Sequence, residues 1–141
     1  MTSSLSGPFA LPHYVTSMPS SGDFLTTVAC IEAALSERNI TLFAKIDQAD
    51  AASGAGAALR PTVLLLFGAP AVGTPIMEAN PHAAVELPLK AVVWEDSAAQ
   101  VHVDYLDVTK LLVDGYGTDP ESVGKLAKIP ALLSGALERL R

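Results

Sequence analysis

The sequence predicts an α+β fold, a two-layer sandwich in which a mixed, mostly antiparallel sheet carries its helices mainly on one face. Three observations predict it. Short β-branched runs alternate with stretches of helical periodicity, giving the order strand, helix, strand, weak helix, strand, short helix, strand, strand and two helices. The run at 62–67, TVLLLF, is apolar on both alternating faces and reads as a central strand covered on both sides. The strands expected at 89–95 and 101–106 are joined by a short turn within EDSAAQ, which makes them a hairpin.

Length and composition bound the rest. A chain of 141 residues is expected to form a loose tail at 1–10 and one α+β domain at 11–141, long enough to bury its own core. The single cysteine, Cys30, excludes an intrachain disulfide framework and a cysteine-based metal site, as suits a reducing cytoplasm. No apolar run approaches membrane-spanning length, and the first residues carry neither a basic nor an apolar signal region, so a cytoplasmic protein without a membrane partner is expected. Nine basic residues stand singly against fifteen acidic ones, for a net charge of −6, which argues against nucleic-acid binding. Half the chain is hydrophobic and only 17% is charged, with mean hydropathy +0.36. Such a balance points to apolar surface covered between subunits, and hence to a homodimer.

The elements follow in order. Residues 11–17 (LPHYVTS) read as a first strand, with Pro12 near an edge or at its start. Asp23 can cap a helix over 23–38, where Phe24, Val28, Ile31 and Leu35 recur at helical spacing and Asn39 ends it. A strand at 41–47 precedes a weak, alanine-rich helix at 47–59 that Asp47 can cap and Gly54 and Gly56 loosen. Gly68 and Pro70 stop the central strand; Thr74 is placed as an N-cap and Pro75 as a first helical residue. Asn80 and Pro81 interrupt that helix, and 83–86 adds one more turn. In the hairpin, pairing Glu95 with Gln100 sets Trp94 against Val101, Val92 against Val103 and Lys90 against Tyr105. Asp107 or Thr109 caps a short helix at 110–114 that Gly115 and Gly117 end. A last helix starts near Asp119 and should kink or divide at Pro130.

Candidate chemistry is sparse. No Walker loop, dinucleotide fingerprint, catalytic triad motif or metal-ligand spacing is present, and His13, His82 and His102 form no ligand pattern, so no metal and no cofactor are expected. The loop after the central strand makes a turn, and the same geometry at a helix N-terminus suits an anion. Lys90, expected on a largely apolar sheet face, must reach water or meet an anion. Gly68, Gly73, Thr74 and Lys90 are therefore the candidate ligand-binding residues, for a small anionic ligand. His102 and Asp104, alternate residues of one strand, could serve as base and orienter in a small hydrolase or isomerase, although no nucleophile stands beside them in sequence. Cys30 has no base among its helix neighbours and reads as an inert side chain.

The paired stretches FGAPAVGTPIM and LPLKAVVWED, preceded by Arg60, Pro61 and Thr62, resemble the domain of unknown function 302 family of bacteria and archaea. The resemblance spans about residues 15–116. It implies a small α+β domain that tends to self-associate, and no established activity. Lys90 matches the lysine of that family's LPLK motif. Ala69 departs from it, standing where the family usually has Asn, so any hydrogen bond from that amide is absent here.

The reading that combines these points is a cytoplasmic, self-associating module that binds a small ligand. Its alternatives are the hydrolase or isomerase just described, and an assembly protein with no pocket.

Overall fold

The computed structural model describes residues 9–141. The tail expected at 1–10 lies mostly outside the described residues; Phe9 and Ala10, which fall within them, are exposed. In chain order the elements are β1 (Val15–Ser20), α1 (Phe24–Glu37), β2 (Thr41–Asp47), α2 (Gln48–Gly54), β3 (Thr62–Gly68) and α3 (Pro70–Ala79). A 3-10 helix (Pro81–Glu86), β4 (Leu89–Glu95), β5 (Val101–Leu106), α4 (Val108–Tyr116), α5 (Pro120–Val123), a 3-10 turn (Leu126–Lys128) and α6 (Ile129–Glu138) complete the chain.

The strands form one sheet in the order β1-β5-β4-β3-β2, and all four pairings are antiparallel. The α+β expectation holds, and the expected mixture of strand directions is corrected. β1 and β2, linked through α1, run the same way but lie at opposite edges with three strands between them, so no parallel pair forms.

Alternation along the strands divides the sheet into two faces. Val63, Leu65, Phe67, Leu89, Ala91, Val93, Val101 and Val103 are buried, together with Val28, Ile31 and Leu35 of α1 and Leu133, Ala136 and Leu137 of α6. The opposite face carries Leu64, Leu66, Val92, Trp94, His102 and Asp104, all only partly buried. β3 was expected to be covered on both sides; it is covered on one, because the helices supply their apolar stripes to a single layer.

α1 matches its expected span. Asp23 Oδ1 accepts the Thr26 N–H at 2.8 Å, and that bond holds the Asp23 carboxyl below its ordinary pKa. At the other end Asn39 takes a left-handed φ of 57°. The Ile40 N–H donates to the Leu35 carbonyl and the Asn39 N–H to that of Ser36, a closed C-terminal cap.

Four boundaries differ from expectation. The first strand begins at Val15, because the Val15 N–H turns back to the Pro12 carbonyl; the proline inside β1 is Pro19, tolerated on an edge strand. The hairpin is shifted by one residue: Trp94 pairs with His102, Val93 with Val103 and Val92 with Asp104. The cause is the turn. Asp96 Oδ1 accepts the N–H groups of Ala98 and Gln100, the Asp96 N–H donates to the Gln100 carbonyl, and Ala99 sits at φ 65°. Asp96, rather than Glu95, thus closes the hairpin with Gln100, which gathers Val93, Val101 and Val103 on the core face and puts Val92, His102 and Asp104 on the other. α4 runs past Gly115 to a left-handed Gly117. The last helix is divided beside Pro130, one of the two expected outcomes; what differs is that the break extends back to Gly124, and Pro130 occupies the first turn of α6.

Candidate functional site

At the end of β3 the chain opens a cavity of about 370 Å3 between the sheet edge and α3. Three of the four candidate ligand residues, Gly68, Gly73 and Thr74, lie in its wall. They do so for reasons other than those expected. α3 starts at Pro70 with Ala69 as its N-cap, and the Val72 and Gly73 N–H groups already donate to the Ala69 carbonyl at 2.8 and 3.0 Å. Thr74 is therefore not a cap; it sits inside the helix, and so does Pro75. Either proline could take the first helical position, and the earlier one does. Pro75 then offers no N–H to the Ala71 carbonyl four residues back, a solvent-facing loss because Ala71 is exposed.

Lys90 does not join the other three. Its Nζ donates to the Pro88 carbonyl at 3.2 Å, and it borders a separate hollow of about 20 Å3. The register explains this: Lys90 pairs with Leu66 on the open face, and Tyr105, its expected neighbour, faces Ala91.

The cavity wall is carbon. Met77 of α3, the Leu87–Pro88 segment, Leu89 and Leu126 enclose it, and Thr74 carries the only side-chain oxygen. Phe43 forms the outer side. Sequence reading passed over this residue. The β2–β3 register shifts between Leu42 and Ala44, so Phe43 is the extra residue of a bulge and is left 51% exposed at the cavity mouth. Gly68 makes room for it, since a Cβ there would lie 3.3 Å from Phe43 Cε2.

A second cavity, of about 260 Å3, adjoins the first, and Gly68, Ala69, Leu89 and Leu126 belong to both walls. Its other wall residues include Arg38, Lys125 and Lys128.

His102 and Asp104 are not brought together as base and orienter. His102 Nε2 lies 2.8 Å from Asp96 Oδ2, and its ring stacks on Trp94 with centroids 4.4 Å apart. That hydrogen bond, followed by those from Gln100 and Ala98, holds the Asp96 carboxyl below its ordinary pKa. Asp104 Oδ1 and Trp94 Nε1 are buried without a hydrogen-bond partner among the described residues. No serine or cysteine side chain there hydrogen-bonds the imidazole. The Cys30 thiol instead donates to the Ala136 carbonyl at 3.1 Å, which ties α1 to α6. Among the described residues no group of three or more His, Cys, Asp or Glu could hold a metal ion.

The sequence profile of the family described as "Domain of unknown function DUF302" matches residues 16–140. A crystal structure titled as an uncharacterized conserved protein DUF302 from Bacillus stearothermophilus superposes with a TM-score of 0.75, covering 92% of this chain and all of that one, at 20% identity. That likeness is one of fold. Fluoride-specific ion channel FluC 1 of Brucella suis biovar 1 is 32% identical over 75 residues, which are 53% of this chain and 30% of the channel. FluC 1 of Brucella abortus biovar 1 matches over the same length, 28% of that channel. The chain thus spans less than a third of the curated relatives it matches, and among the described residues no helix is long and apolar enough to cross a membrane.

Proposed function

The chain belongs to the DUF302 family, and from that premise we propose that it is a small-ligand-binding module that works as a self-associated pair of copies. The observation that carries the ligand reading is the cavity beside Phe43. Its volume of about 370 Å3 falls within the range of small-molecule sites, roughly 300–1,000 Å3, and its wall is apolar with one hydroxyl to orient a ligand. Apolar contact therefore supplies the binding energy here. A surface without any pocket, as an assembly-only protein would have, is not what this chain presents.

Self-association is supported by the open sheet face. Leu64, Leu66, Val92 and Trp94 lie there only partly buried, and Ile46 of the neighbouring β2 is 39% exposed. An apolar sheet face of this kind is commonly covered by a second copy. A reducing, cytoplasmic setting remains part of the proposal, supported by the lone Cys30. The fluoride-channel relatives add no conduction to this reading, because the match covers less than a third of their length.

The enzymatic alternative would need His102 free to act on a substrate. Its Nε2 is held by Asp96 and one ring face is covered by Trp94, so the ligand-binding reading is better supported.

The experiment is native mass spectrometry of the purified protein, followed by thermal melts with 1-octanol as a neutral apolar probe. A saturable rise in melting temperature, or a co-purifying apolar molecule, supports the module. A melting temperature indifferent to the probe, with no bound mass, overturns it.

A further inference from the structure

The cavity next to the apolar one concentrates positive charge in a chain whose net charge is −6. Arg38, Lys125 and Lys128, a third of the nine basic residues, all line it, and none of its eleven wall residues is acidic. Among the described residues none of the three is in an ion pair, nor are Lys90 and Lys110, whereas Lys45, Arg60, Arg139 and Arg141 each have a carboxylate partner. All three are exposed, so solvent screens their mutual repulsion, and an anion entering the cavity would meet positive charge from each of them.

The backbone places these cations deliberately. Arg38 sits at the closed C-terminal cap of α1, fixed by the Asn39 and Ile40 hydrogen bonds. Lys128 stands at the N-cap of α6, where the helix dipole disfavours a cation, and no acidic residue occupies the first turn to offset it. Lys125 stands one short 3-10 turn earlier, before Leu126.

The two cavities adjoin, with Gly68, Ala69, Leu89 and Leu126 in the lining of both. We propose that the two cavities form one amphipathic site, taking a small anion with a single short alkyl chain. The chain lies against Met77 and Leu87, and the carboxylate or phosphate head lies among Arg38, Lys125 and Lys128. This inference rests on the ligand-binding reading of the apolar cavity and adds the chemical class of the ligand. It also relocates the anion contact from Lys90 to Arg38 and the pair Lys125 and Lys128, two sites far apart in sequence.

The test compares octanoate and octyl phosphate with 1-octanol, which has the same chain and no charge, by titration calorimetry at low salt. Octanoate should bind roughly ten-fold tighter than 1-octanol, octyl phosphate at least as tightly, and added salt should shrink the difference. In the triple variant Arg38→Gln, Lys125→Gln, Lys128→Gln the advantage should disappear while 1-octanol binds as before, which also shows that the variant is folded. Arg60→Gln, which removes a cation paired to Glu95, should leave the advantage in place. If the anions bind no tighter than 1-octanol, or if their advantage survives the triple substitution, the inference fails while the apolar-ligand module stands. If no probe binds at all, both fail. Binding to phosphatidylglycerol vesicles without binding to the monomeric anions would also overturn it, because the anion would then belong to a membrane surface.

Discussion

Phe43 and Gly68 face each other across the β2–β3 pairing so closely that a Cβ on residue 68 would stand 3.3 Å from Phe43 Cε2. The half-exposed ring has room to yield, so Gly68→Ala should cost about 1 kcal/mol or less. The displaced ring should narrow the cavity mouth and weaken 1-octanol binding. Calorimetry on the variant checks this, and unchanged affinity would show that Phe43 does not form the cavity's outer wall.

Gly73 lies within α3, and a Cβ there would meet Leu87 Cδ1 at 3.7 Å and Met77 Cε at 3.9 Å, ordinary contact distances. Replacing a helix-interior glycine by alanine stabilises by roughly 0.5–1 kcal/mol. Gly73→Ala should therefore raise the denaturation midpoint while its methyl group occupies cavity space and lowers probe affinity. A gain in stability with no loss of binding would place the ligand elsewhere.

Asp23 and Asp96 both have carboxyl pKa values lowered from 3.8, the first chiefly by the Thr26 N–H and the second chiefly by His102. A lowered folded-state value means that each contribution is complete above pH 3.8 and fades as the pH falls through the folded-state value. Asp23→Asn keeps an acceptor for the cap and removes the titration. Its stability should fall less steeply than that of the wild type below about pH 4, as followed by urea melts across pH 2–6.

Ile46 lies on the open face opposite Leu64 and is 39% exposed, so Ile46→Glu should leave the fold intact. In a self-associated pair it would bring a charge into the interface. Light scattering at micromolar concentration should give a dimer mass for the wild type and a monomer mass for the variant. A monomeric wild type contradicts the pairing.

α1 was legible because Asp23, Asn39 and the spacing of Val28, Ile31 and Leu35 all specify the same helix, and local signals suffice for a local element. The hairpin register was not, because it depends on Asp96 turning its own side chain into the loop. The start of α3 was ambiguous between Pro70 and Pro75, which carry the same chemistry five residues apart. For the site, Gly68, Gly73 and Thr74 were singled out as a loop and helix start, but Gly73 and Thr74 lie inside α3, and the neighbour expected for Lys90 was misplaced with the register. Phe43 depends on a bulge, and the meeting of Arg38 with Lys125 and Lys128 depends on the tertiary fold, so neither leaves a mark in any local stretch.

The cavity as a ligand site is tested most directly by Met77, whose methyl group lies in its wall. The chain has three methionines, and Met18, on the edge strand β1, serves as an internal reference. In protein labelled with 13C at the methionine methyls, titration with 1-octanol should shift the Met77 resonance saturably and leave that of Met18 in place. An unmoved Met77 signal, or equal drift of Met18 and Met77 without saturation, would contradict the account.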